Sequence, residues 1–214
     1  MAAALPVLRT RRLRLRPRTM ADLDASVAMD REPGTLDWVD WPFADGGWDD
    51  PAAHRAFVEG RIRGPYPPGL GYWVVARHER PEEFLGWVLL IPEDAEGPEV
   101  EIGWRLTGPA RGRGHAGEAA AALVEHGFAT LHLPRIVAEV YRANADSNAV
   151  ARRLGFRALP GPDRPKGATL IWTLERAEWL DQRRDVVAGG AESPPAAVSS
   201  VSTRRRAAGT PSQT

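Results

Sequence analysis

The sequence predicts a mixed α/β domain around one mostly antiparallel sheet, and three observations predict it. Three short β-rich runs, "GYWVVAR", "EFLGWVLLIP" and "VEIGWRL", are separated only by turn or acidic stretches, the spacing of an antiparallel meander. Segments with helical apolar spacing stand on both sides of that meander. The chain of 214 residues, 43% hydrophobic and 26% charged, is long enough for one substantial core.

Each element follows from its local pattern. "RRLRLRP", residues 11–17, alternates arginine with leucine as a half-buried strand does, and proline stops it. "TMADLDASVAMD", residues 19–30, starts with a threonine cap and carries Leu23 and Val27 at helical spacing. "DDPAAHRAFVEGRIR" offers an aspartate cap, Pro51 in the first turn, and Phe57, Val58 and Ile62 on one side. After the meander a long helix is predicted over roughly residues 116–131, with Ala116, Ala120, Leu123, Val124, Phe128 and Leu131 on its apolar face. "RIVAEVY" reads as a strand, and "NADSNAVARRLGF" as a short helix closed by Gly155. "ATLIWTLE" reads as the last strand and "RAEWLDQRRDVV" as a final helix. Residues 1–187 form the domain. Residues 188–214 are small, polar and proline-rich, with nothing to bury, and read as a disordered tail.

Composition removes several function classes. Lys plus Arg is 28 and Asp plus Glu is 28, so no overall field draws the chain to nucleic acid or an anionic membrane. With no cysteine there is no disulfide framework, no thiolate zinc site and no cysteine nucleophile. "MAAALPVLRTRRLRLRP" meets arginine too soon for a signal peptide, and no apolar run reaches the roughly 18 residues of a membrane helix. The expectation is a cytoplasmic protein without a membrane partner. His115, His126 and His132 read as surface residues rather than metal ligands, and no metal is assigned. The triplet Arg204, Arg205 and Arg206 reads as a solvated run.

"ARGRGHAGEA", residues 110–119, places a glycine-rich turn between a strand and a helix. Glycines let a ligand approach the backbone, the first-turn amides are free, and the helix dipole adds positive character. Such a turn suits a phosphate. It lacks the Gly-Lys-Ser/Thr ending of a nucleoside triphosphate loop and the acidic residue of a dinucleotide fold.

The stretch "EIGWRL…ARGRGHAGEAAAALVEHGF…LHLPRIVAEVYRANADSNAVARRLGF" resembles the acyl-CoA-binding half of the GNAT superfamily of N-acetyltransferases, in the branch that includes RimJ and RimL. The resemblance runs from "TRRLRLRP" to about Leu174. Arg111, Gly112, Arg113, Gly114, His115 and Ala116 match the family's phosphate loop in order, and Asn144, Ser147, Leu154, Gly155 and Phe156 match its next landmark. The resemblance implies a sheet split between "EIGWRL" and "RIVAEVY", with the pantetheine arm of acetyl-CoA bonded to main chain around Trp104, Arg105 and Leu106. It places the pyrophosphate on the amides of residues 111–117. Gly117 departs from the threonine common there.

Acetyl transfer needs a neutral amine. An α-amine with pKa about 8 is roughly a tenth neutral at pH 7, whereas a lysine costs about 4.6 kcal/mol to deprotonate. Glu101 resembles the acidic residue that some family members use as base through a water; alone, it reads equally as a solvated strand carboxylate. Many family members supply a tyrosine to the leaving thiolate four residues before the glycine of Leu-Gly-Phe. This chain has Ala151 there, and Ser147 is the named replacement, with Asn144 holding the cofactor arm. In "LDWVDWPFADGGWDD", Trp38 and Trp41 among carboxylates suit a cationic acceptor, or pin the loop to the core.

These readings converge on an acetyl-CoA-dependent N-acyltransferase acting on a peptide N-terminus or a small amine by direct transfer. A non-catalytic acyl-CoA-binding or regulatory module is the alternative, and a nucleic-acid-associated protein the weaker third. The sequence leaves the acceptor and the oligomeric state open, a homodimer included. Deleting residues 191–214 is expected to leave the melting temperature and acetyl-CoA turnover nearly unchanged, because that composition offers little apolar surface to offset chain entropy. Melting curves and thiol-release assays on the truncated protein check it.

Overall fold

A computed structural model describes residues 5–39, 50–93 and 97–188. Leucine and arginine alternate through β2 (Leu13–Pro17), so Leu13 and Leu15 are fully buried, and the strand pairs with the short β1 (Leu8–Arg9). One turn of 3-10 helix (Met20–Asp22) leads into α1 (Leu23–Asp30). Asp50 caps α2 (Pro51–Arg63) by accepting from the amides of Ala52 and Ala53. The meander then runs through β3 (Gly71–Arg77), β4 (Gly86–Pro92) and β5 (Val100–Leu106). Helix α3 (His115–Glu125) crosses over to β6 (Arg135–Tyr141), and α4 (Ala145–Arg153), β7 (Arg157–Arg164), β8 (Gly167–Glu175) and α5 (Arg176–Ala188) complete the order.

The described strands form a single sheet in the order β1-β2-β3-β4-β5-β6-β8-β7, antiparallel throughout except between β5 and β6. That parallel pair is joined at one register position, Glu101 with Val137. Beyond it the strands part, leaving the β6-facing edge of β5 toward Leu106 unpaired, while β4 pairs its other edge. The mixed sheet with a split between these two strands is the architecture the sequence predicts.

The two sheet faces differ chemically. One holds the main core: Trp73, Val88, Leu90, Ile102 and Ile136 pack against Ala119, Ala120, Leu123 and Phe128 of the α3 segment. Small alanines let α3 lie close to the strands. The other face carries Tyr72, Trp87, Leu89 and Ile91 beneath Met29 of α1, and alternation puts Glu101, Gly103 and Arg105 of β5 on it too. A third cluster, Leu23, Val27 and Val58, joins α1 to α2.

Four details depart from the sequence reading. Residues 126–130 continue α3 as a wider π turn; Gly127 lies so close to β6 that a Cβ there would stand 2.8 Å from Ile136. Strand β7 was not anticipated, because it is almost wholly exposed, contains Pro160 and Pro162, and shifts register between Pro160 and Asp163. It lies at the sheet edge, where proline is tolerated. The two-residue β1 was likewise too short to announce itself. His115 and His126 are buried rather than on the surface; His126 Nε2 lies 2.9 Å from the carbonyl of Gly69 and its ring packs edge-on against Trp73.

One ion pair ties the N-terminal hairpin to α3. Glu118, in the helix's first turn, accepts from Thr10 Oγ1, from the Arg12 amide at 2.8 Å and from the Arg12 guanidinium. Burial pushes its carboxyl up, but these donors outweigh burial and hold it below the usual carboxylate range. A depressed folded value means that the stabilisation is complete above about pH 4.3, the unfolded value, and is lost as pH falls through the folded one. Glu118→Gln is therefore expected to lower unfolding stability by roughly 1.5–3 kcal/mol at pH 7 and by progressively less below pH 4, as urea unfolding across pH measures.

Candidate active site

The chain leaves β5 through a 3-10 turn (Gly108–Ala110) and enters α3 through residues 111–114, all exposed. Gly112 and Gly114 both take the left-handed conformation, with φ of 70° and 75°. Gly114 is the N-cap and offers no side chain, so the first amides of α3 are uncapped. The arginines of the turn fold back onto protein. Arg111 donates from Nε to the Leu106 carbonyl at 2.9 Å and from its guanidinium to Thr35 Oγ1; Arg113 Nε donates to the Pro109 carbonyl at 3.0 Å. The Arg111 amide is bonded to the Gly108 carbonyl, and no side chain caps the amides that follow at the start of α3.

The turn adjoins the open side of β5. Across the gap, β6 ends at Tyr141, which alternation places on the face of Glu101 and Gly103, level with Arg105 when counted on from the Glu101–Val137 pair. The Tyr141 hydroxyl is buried and has no hydrogen-bond partner among the described residues. Trp38 packs on its ring at a centroid distance of 5.9 Å. Trp38 belongs to a strap after α1 that spans the gap. Glu32 accepts from the Gly108 amide, Thr35 from Arg111, and Lys166 of the β7–β8 turn donates to the carbonyls of Leu36 and Val39 at 2.8 and 3.1 Å.

The opposite flank is the start of α4. Asn144 caps it, Oδ1 accepting from the Ser147 amide at 3.1 Å. Ser147 lies on the stripe that buries Val150 and Ala151, and its hydroxyl makes no hydrogen bond among the described residues. Asn148 fixes the β6–α4 turn: its amide nitrogen meets the carbonyls of Tyr141, Arg142 and Asn144 at 2.9, 3.1 and 2.7 Å, and its oxygen accepts from Trp172 Nε1 at 2.8 Å.

The sequence and the fold are both shared with known proteins. The family model described as "Acetyltransferase (GNAT) domain" matches residues 12–157. This chain belongs to the GNAT acetyltransferase family. It is 26% identical over 199 residues to an FsC-acetyl coenzyme A-N(2)-transacetylase of Aspergillus fumigatus, covering 85% of this chain and 81% of that one. A crystal structure of an Agrobacterium tumefaciens acetyltransferase is 30% identical, with TM-score 0.63 over 82% of this chain and 97% of that one. Mycobacterium smegmatis RimJ, solved with CoA-disulfide, shares the fold at 23% identity and TM-score 0.62, covering 88% and 95%.

In this acetyltransferase the residues singled out from sequence divide into three groups. Gly112, Gly114, Ala116 and Gly117 stand at the turn and the first α3 turn, while His115 is buried beneath it, burial lowering its proton affinity against the opposing effect of a bond to the Ala110 backbone. Trp104 and Leu106 face the main core, and the Leu106 carbonyl is already bonded to Arg111. The Arg105 side chain points to the other face, bonded to Asp30 at 2.7 Å. Glu101 and Ser147 flank the parted strands. Trp41 lies outside the described residues. Among those residues no group of three ligating side chains could hold a metal ion. Tyr141 was missed, since nothing in "RIVAEVY" sets its tyrosine apart from other strand residues.

The Gly117 departure proves spatially neutral, because a Cβ there would meet nothing within 4 Å. Gly117→Ala is expected to raise the melting temperature by about 2–4 °C, the helix gain of up to about 1 kcal/mol. Gly114→Ala, forced to keep a positive φ with its Cβ 3.4 Å from Arg12, is expected to lose about 1–2 kcal/mol instead. Thermal melts of the pair check both signs.

Proposed function

We propose that this acetyltransferase moves an acetyl group from acetyl-CoA to a primary amine by direct transfer in a ternary complex, in a branch near RimJ and RimL. The observation that carries this reading is the continuity of the uncapped α3 amides with the unpaired side of β5. The amides of residues 112–117 would hold the pyrophosphate, and the main chain of β5 would hold an extended amide-bearing arm as a further strand would. The chain contains no cysteine to carry an acyl group, which supports direct transfer.

Glu101, on the face opposite the main core, would accept the amine proton, directly or through water. The departing sulfur needs a hydrogen-bond donor. Ala151 cannot supply one and is fully buried. Two hydroxyls flank the gap without partners among the described residues: Ser147 on the α4 side and Tyr141 on the face of Glu101. Tyr141 is the stronger donor of the two, since its phenol is more acidic than an alcohol. The missing tyrosine at 151 is also what favours the second reading, a module that binds acyl-CoA without turnover.

Thiol release from acetyl-CoA across an amine panel, with mass spectrometry of the products, tests the proposal. CoA bound with no thiol released on any amine would select the second reading. Within the proposal, Glu101→Gln is expected to slow turnover most at neutral pH and to recover partly as rising pH deprotonates the amine itself. Tyr141→Phe and Ser147→Ala separate the donors: whichever serves the sulfur loses roughly ten- to a hundredfold in turnover with no alkaline recovery. Gly114→Val is expected to weaken acetyl-CoA at least tenfold, about 1.4 kcal/mol.

A further inference from the structure

The sheet face that carries Glu101 is lined by more guanidinium than the described carboxylates neutralise. Tyr72 and Trp87 form its aromatic floor, ring centroids 5.3 Å apart and steeply inclined. Three arginines converge on it. Arg105 stands 4.9 Å from the Trp87 ring, and Arg61 stands 5.8 Å from Tyr72 with Nε donating to the Tyr72 hydroxyl at 2.9 Å. Arg18 lies 5.3 Å from Tyr72 and 5.8 Å from Trp87. Asp30 pairs with Arg105 and places its second oxygen 3.0 Å from His54 Nε2, while Glu101 acts electrostatically on Arg61.

Asp30 and Asp22 attract Arg18 from a distance, but neither makes an ion pair with it. It is 9% exposed, its Nε donates to Ser26 Oγ at 3.1 Å, and no carboxylate among the described residues lies within ion-pair distance of it. Its two terminal nitrogens have no hydrogen-bond partner there either. Arg16, two residues earlier, shows the contrast: paired with Asp22 at 2.6 Å, it binds its proton more tightly than usual, whereas burial loosens that of Arg18. Contacts to two aromatic rings offset only part of the cost of removing an unpaired ion from water. The outer edge of a guanidinium is a planar pair of donors, and the partner that fits it with two parallel hydrogen bonds and one compensating charge is a carboxylate.

We propose that Arg18 anchors a carboxylate of the acceptor, so that the substrate class is a small aminocarboxylate whose amine lies toward Glu101. The proposal rests on the amine-acetylating reading above. Tyr72 and Arg61 link the two ends: Arg61 bonds the Tyr72 hydroxyl, on whose ring Arg18 stacks, and Arg61 also feels the charge of Glu101.

The test compares an α-amino acid, its carboxamide and its aminophosphonate analogue, at saturating acetyl-CoA, in the wild-type chain, Arg18→Gln and Arg18→Lys. The acid is expected to exceed the carboxamide at least tenfold in kcat/KM, mainly through KM. Arg18→Gln is expected to bring that ratio to about one, and Arg18→Lys to leave part of it, because a point charge keeps attraction without the paired geometry. A wild-type ratio of one, a ratio unchanged by Arg18→Gln, or preference for the aminophosphonate each overturns the proposal. Where Arg18→Gln does not fold, calorimetry of the wild type with CoA bound decides, since only the acid, not its carboxamide, is expected to bind. That measurement needs no turnover, so an absence of transfer to every amine would sink the acetylation reading while the binding comparison still judges Arg18.

Discussion

Two parallel strands that share the single pair Glu101–Val137 and then part impose most of what surrounds them. Main-chain groups along the parted side of β5 require partners or water, so an extended ligand with amides of its own can complete a ladder that the protein leaves open. Because β6 runs parallel to β5, the chain must cross over the sheet between them, and α3 is that crossover. Its N-terminus necessarily lies next to the end of β5. The glycine turn and the open strand edge are therefore two consequences of one topological step. Glu118 then sets the position of that turn by bonding the first turn of α3 to β2 and the preceding loop, on the far side of the meander.

The two faces of the sheet divide the labour that follows. Alanines and leucines of α3 close one face as a dry core, where precise packing keeps β4, β5 and β6 rigid around the gap. The other face is a polar network roofed by α1 and α2, with Asp30, His54, Arg105, Arg18 and Ser26 buried or nearly so. A network of this kind fixes one arrangement when its members are satisfied. The strap carrying Trp38 bonds both the glycine turn and the β7–β8 turn.

Legibility in the sequence followed how local each cause was. β3, β5 and β6 have the bounds that their runs of β-branched and aromatic residues announced, and α2 starts where Asp50 and Pro51 put it. β7 carries no alternation because neither of its faces is buried, so periodicity had nothing to report. The glycine turn was legible because left-handed backbone and close approach select glycine directly. Arg111 was legible as a position but not as a role: its bonds to Leu106 and Thr35 depend on a strap whose placement no local pattern encodes. Arg18, next to a proline that ends a strand, gave no sign of standing over Tyr72 and Trp87, since those contacts are set by strand register across β2, β3 and β4.

The segment around α4 shows why a motif can be right while its residues act indirectly. Asn144 spends its side-chain oxygen on capping the helix, and Asn148, which lies outside the motif, gathers three carbonyls and the Trp172 indole. Together they fix the angle at which β6 turns into α4. That angle sets the Ser147 hydroxyl on one flank of the parted strands and the Tyr141 hydroxyl on the other, each clear of any protein partner among the described residues. A buried phenol without a partner is unfavourable by about 1–3 kcal/mol. The asparagines thus build the frame that holds the two hydroxyls apart.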